Sequence, residues 1–150
     1  DLSALASRDS LVSSNENDGR IVIWSEAGGV TAVDSENGGQ ILSTVVPLPD
    51  SLSGVRHNEE GGWLLLLNSG GIALLDDLQS EPEVVRTPGP VLDAVHDGEC
   101  WRWTGWRHDG ALRDGEVQCA ARDQFGVALI GDRVLTNDGT WDNYGLNHSD

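Results

Sequence analysis

Four histidines (His57, His96, His108, His148) and two cysteines (Cys100, Cys119) are the first residues to test for chemistry in this sequence. No Cys/His spacing resembles a zinc site, where ligand pairs recur a few residues apart to reach one ion. No G-x-S-x-G nucleophile elbow occurs, so no Ser/His/Asp arrangement can be argued. The cysteines allow at most one internal disulfide. They fall in neighbouring predicted strands, and the simpler reading is two small buried residues. His57 and His148 hold equivalent places in a repeat, which favours a structural role, while His96 and His108 are expected at solvent-facing turns. Trp101, Trp103 and Trp106 form a cluster that could stack on a sugar ring. Strand alternation puts Trp101 and Trp103 on one face, where packing between sheets is the commoner use. Trp106 and Trp141 fall in predicted loops and are the better surface candidates.

The elements that must position these residues emerge when the chain is laid on itself. Residues 19–34 read GRIVIWSEAGGVTAVD and residues 61–76 read GGWLLLLNSGGIALLD. Each is an apolar strand, a Gly-Gly turn, an alternating strand and an Asp. The offset is a constant 42 residues, carrying Gly28 to Gly70, Gly29 to Gly71 and Asp34 to Asp76. A looser copy, GECWRWTGWRHDGALRD at 98–114, has its turn at His108-Asp109-Gly110. A further strand precedes the later copies: SGVRHNE (53–59), LDAVH (92–96) and YGLNHSD (144–150). Another follows the hairpin, at 41–46 and 83–86. The unit is therefore four antiparallel strands with tight turns, the plan of one β-propeller blade. Leu64–Leu67 is apolar at every position, as a strand buried on both faces requires. The Gly-Gly pairs supply the positive φ of tight hairpins.

The expected fold is all-β, a partial propeller spanning 1–150. Its blades cover about 5–46, 52–86 and 91–135, and a fourth begins at about 143–150. Three blades and one strand do not close a ring, so the chain reads as part of a larger, six-bladed one. Self-association is one way to supply the remainder.

Acidic residues number 25 against nine basic ones, all Arg, for a formal charge of −16. That field repels phosphate backbones and anionic lipid surfaces, which argues against nucleic-acid and membrane partners. The longest apolar stretch is Trp63–Leu67, too short for a membrane-spanning helix. Acidic, Lys-free composition fits either a high-salt cytoplasm or a GC-rich genome, and the expected location is cytoplasmic. The chain starts at Asp1 without Met, as either a processed or a trimmed protein would.

Four stretches resemble the SMP-30/gluconolactonase/regucalcin-like family of six-bladed propellers. Residues 19–38 and 59–76 are similar to its first two inner hairpins. DAVHDGECWRWTGW (93–106) resembles its Asn-Asp-Gly, spacer, Asp-Gly-Arg-aromatic-Trp-x-Gly stretch, and WDNYGLNHSD (141–150) resembles its Asn-Gly-Leu segment. The resemblance implies a divalent-metal-dependent hydrolase of lactones or related small esters. Ca²⁺ or Mg²⁺, held by oxygen ligands, would polarise the carbonyl while a carboxylate activates water. The residues it points to are Asp93 as catalytic carboxylate, with Asp9 and Asn143 as metal ligands. Leu92 stands where the family has Asn, and Asn143 lies one place before the motif position, which Tyr144 occupies. GGVTAVDSENG (28–38) also resembles the Ala-x-Asp-x-x-Thr-Gly repeat of quinoprotein-like scaffold propellers, with Asn37 in place of Thr. The alternative is therefore a non-catalytic propeller that binds a protein or small ligand.

Overall fold

The computed structural model describes residues 12–17, 20–25, 28–34 and 40–146. Every regular element among them is a strand, and the strands form four antiparallel sheets in chain order. The first sheet holds β1 (Val12–Asn17), β2 (Arg20–Ser25), β3 (Gly29–Asp34) and β4 (Gln40–Val45). The second holds β5 (Leu52–Asn58), β6 (Gly62–Leu67), β7 (Ile72–Leu75) and β8 (Glu83–Val85). The third holds β9 (Val91–His96), β10 (Trp101–Gly105), β11 (His108–Arg113) and β12 (Glu116–Ala121). The fourth has three strands, β13 (Gly126–Ile130), β14 (Arg133–Thr136) and β15 (Trp141–Asn143). Within each sheet the strands pair with their sequence neighbours, so every connection is a hairpin or short loop.

One packing step recurs. The first two strands of each sheet lie against the first strand of the next: β1 and β2 on β5, β5 and β6 on β9, β9 and β10 on β13. Burial follows from alternation. On β6, Trp63 and Leu65 join Val22, Trp24, Val30 and Val55 in a core between sheets one and two. Leu64 and Leu66 turn the other way, onto Val91, Ala94, Trp101 and Trp103 of sheet three. The continuous apolar run is thus a strand sandwiched on both faces, as its sequence requires. The equivalent glycines Gly28 and Gly70 have φ of +95° and +107°, which explains why the hairpin turn repeats them.

The third repeat departs from the expected boundaries. His108-Asp109-Gly110 is not a turn; these residues open β11, and the reversal falls at 106–107. Gly110 is required there by close approach, since a Cβ would fall 2.1 Å from the Trp103 indole nitrogen. The third sheet therefore ends at Ala121, and 126–143 form a sheet of their own, in place of a blade reaching 135 and another starting at 143. Tyr144 lies just outside a strand, and 147–150 lie outside the described residues. Cys100 and Cys119 are free; Cys100 lies just before β10, Cys119 on β12, with β11 between, and Cys119 is exposed and Cys100 half-buried. Their distance across the sheet removes the expected neighbourhood. His108 is buried, not solvent-facing.

Candidate functional site

Asp93 sits mid-way along β9, and both of its carboxylate oxygens are engaged. Oδ1 accepts from Arg56 Nη2 at 3.1 Å and from the Ala94 N–H at 3.0 Å; Oδ2 accepts from the Leu129 N–H at 2.7 Å. The side chain joins β5, β9 and β13 and so ties three sheets together. Leu129 donates away from β14, because the neighbouring Ile130–Arg133 pair closes that hairpin.

Asn143 ends β15, two strands from β13, and its backbone carbonyl faces Arg122 Nη1 at 3.4 Å. Two strand spacings put β15 about 10 Å beyond β13. Two oxygens on one Ca²⁺, each about 2.3–2.6 Å from it, lie much closer together than that. Asp93 and Asn143 therefore do not share a cation, and the Arg56 guanidinium already holds the positive charge beside Asp93. Asp9, the third candidate, lies outside the described residues. Among the described residues no group of three His, Cys, Asp or Glu converges as a metal cradle. The described residues around Asp93 and Asn143 do not fit a Ca²⁺ or Mg²⁺ centre.

Two polar clusters between sheets three and four were missed in the sequence. In one, Asp109 is fully buried at the start of β11. Its Oδ1 accepts from the Thr104 hydroxyl at 2.6 Å, and its Oδ2 from Arg122 Nη1 and the Gly145 N–H, both at 2.7 Å. Arg122 goes on to Asp142 Oδ2 at 2.8 Å and the Gln124 carbonyl at 3.2 Å. In the other, the Arg102 guanidinium reaches Asp132 at 2.9 Å and lies 4.2 Å above the Tyr144 ring, whose hydroxyl donates to the Gly110 carbonyl. Burial pushes the Tyr144 hydroxyl up to about 12. Arg122 and Asp109 also line a shallow recess with Asp123, Gln124, Asp142 and Asn143. Asp109 falls in the His108-Asp109-Gly110 stretch expected as a turn, which is why its cluster was not legible in the sequence.

His108 lies on the opposite face of sheet three. Its Nε2 accepts from the Trp103 indole N–H at 3.0 Å, while Nδ1 has no partner. Burial pulls its pKa down, the nearby Asp109 opposing, so the ring is neutral with its proton on Nδ1. A buried, neutral imidazole reaches no substrate and serves packing. His57 and His96 pack against their cross-strand partners Trp63 and Trp101, the first pair tilted and the second edge-on, with ring centroids 4.4 and 5.2 Å apart. Trp106 and Trp141 are exposed as expected, but Trp141 opens β15 and does not lie in a loop; Trp106 stacks on Phe125 at 5.0 Å and Trp141 lies under Arg133.

No protein-family model matches this sequence, and no curated protein matches it either. The likeness to the SMP-30/gluconolactonase family rests on the residues quoted for it alone.

Proposed function

We propose that the chain is a β-propeller-type array of blades that works as a non-catalytic binding or scaffold module. The propeller reading is supported by the repeated four-strand unit and by the constant packing step from one sheet to the next. The observation that carries the non-catalytic reading is the engagement of Asp93. A lactone hydrolase of the resembled kind needs that carboxylate free to meet a cation or a water. Here its oxygens accept three N–H groups, one from a guanidinium. Its work is to hold sheets two, three and four in register.

Asp93→Ala separates this reading from the hydrolase one. Removing the carboxylate leaves Arg56 Nη2 and the Leu129 N–H without this acceptor, and the expected loss is about 1–3 kcal/mol of stability. The native chain, dialysed against chelator, should melt at the same temperature with and without millimolar Ca²⁺ or Mg²⁺, since a ligand that binds only the folded state raises that temperature. A melting temperature that rises with either ion, or lactone turnover that disappears in Asp93→Ala, overturns the proposal.

A further inference from the structure

We propose that a groove between the outer strands of sheets two and three seats an arginine side chain from a basic peptide segment of a partner protein. This rests on the reading of the chain as a binding module and gives that module a class of partner.

The groove lies at the outer margin of the apolar interface. Both of its walls are described over their whole length, and sheets one and four flank them. Register sets what each wall presents. On sheet two, Leu64 pairs with Leu74 and Leu74 with Glu83, so all three side chains share the face towards sheet three. On sheet three, Leu112 and Val117 are directly opposed on β11 and β12 and pack, with Trp101, towards sheet two. The sheet-two row therefore ends in a carboxylate where the facing row stays apolar to its edge. Gly61 lets the walls meet at one end of the groove. Its carbonyl accepts from the Trp101 indole at 3.1 Å, and a Cβ there would fall 2.4 Å from the His96 ring. Beyond that contact Leu74, Trp101 and Leu112 line a space of about 300 Å³, together with Asp76, Glu81 and Glu83.

The charges identify the occupant. None of these three carboxylates has a hydrogen-bond or ion-pair partner among the described residues, and no basic side chain lines the groove. Nor do they converge as a cradle for one metal ion. The charge that suits them is spread over several atoms and joined to an apolar stem. A guanidinium is planar and delocalised, with donors pointing several ways, and its methylenes lie readily along apolar surface. The space is at the lower limit for small-molecule sites, which suits one long side chain entering from solvent. The formal charge of −16 attracts a basic segment to the groove.

Titration calorimetry of the full chain with the peptide Ser-Leu-Arg-Leu-Ser, capped at both ends to remove its terminal charges, tests this. The native chain should give saturable heat. The citrulline counterpart, alike in shape but uncharged, should give none at about 1 mM. Glu83→Gln should weaken the arginine peptide about threefold, and Glu83→Lys more than about tenfold. Asp123→Lys makes the same charge change as Glu83→Lys at an exposed residue off the groove, and should cost less than about twofold. Both Lys variants should keep the native circular dichroism spectrum, because both positions are exposed. No saturable heat from the native chain, equal heat from the citrulline peptide, or equal losses in the two Lys variants would overturn the proposal. Acetyl-arginine amide binding as tightly as the peptide would also overturn it, by making the occupant a small cation. Each of these outcomes leaves standing the melting result with Ca²⁺ and Mg²⁺, on which the non-catalytic reading turns.

Discussion

Sheet three has two unlike faces. Towards sheet two, Trp101 and Trp103 of β10 pack with Leu64, Leu66, Ile72, Val91 and Ala94. The Trp101 indole donates to the Gly61 carbonyl, Trp103 donates to His108 of its own sheet, and the ion pair between these sheets, Arg56–Asp93, leaves from β9 and not from β10. Towards sheet four, the intervening residues of the same strand, Arg102 and Thr104, meet Asp132, Tyr144 and Asp109. One five-residue strand therefore walls a dry interface and an ionic one. The difference shows how a repeat can keep its backbone while changing what holds it. Apolar burial is non-directional and gives stability roughly in proportion to area. A buried ion pair recovers little net energy after desolvation, but it fits only one arrangement of donors and acceptors. The dry interface is accordingly the source of stability, and the ionic one fixes how sheet four sits.

The largest effect should come from the dry side. Trp103→Ala removes a fully buried indole and leaves the His108 ring facing a void. Large-to-small changes of this kind cost about 3–5 kcal/mol, measurable as a fall in the urea midpoint. A loss under about 1 kcal/mol would mean the space had collapsed, and the contrast between the two interfaces would be wrong.

On the ionic side the informative result is a pair of variants. Arg122→Ala strands the Asp109 carboxylate, and breaking a buried pair costs about 3–5 kcal/mol. Thr104 and Gly145 still donate to Asp109, so the loss should fall at the low end. Asp109→Leu combined with Arg122→Met should recover most of it, because an apolar pair carries no desolvation cost. A double-mutant cycle decides the matter. Additive losses would show that the two residues act independently and that the interface is not ionic in the sense argued.

The dry interface was legible in the sequence and the ionic one was not, for a physical reason. Leu64–Leu67 has no polar position, and only a strand buried on both sides makes sense of it. The 42-residue offset likewise carried the first two sheets, because their glycines are needed for their turns. Sheet three broke the pattern at Gly110, a glycine that makes room for Trp103 instead of turning the chain. Read as a turn, it displaced the last strands and turned Asp109 and His108 outward on paper. Asp93 illustrates the same limit from the other side. A carboxylate on the first strand of its sheet suits a metal or a clasp equally well, and only its partners, Arg56 from 37 residues before and Leu129 from 36 after, distinguish them.

The smallest effect should also be the most specific. Burial lowers the His108 pKa, so the unfolded chain, near its ordinary value of about 6.5, takes up a proton before the folded one does. Stability is then complete above about pH 6.5 and falls as pH drops below it towards the folded-state value. Protonation would set an Nε2–H against the Trp103 N–H, donor against donor, inside the dry interface. His108→Gln keeps an acceptor for Trp103 and cannot titrate. Urea midpoints at about pH 7.5 and pH 5 should fall for the native chain and fall less for His108→Gln. Asp138, hydrogen-bonded by Thr136 and Thr140 in the β14–β15 turn, is held down at about 2. Its contribution is present above about pH 3.9 and lost only as pH falls from there towards 2, so it does not enter this window. Mild acid should thus loosen the apolar side of sheet three first, reported by Trp fluorescence, although the charges lie on the other side. Equal slopes in the native chain and His108→Gln would remove His108 from that role and return the acid sensitivity to the ionic interface.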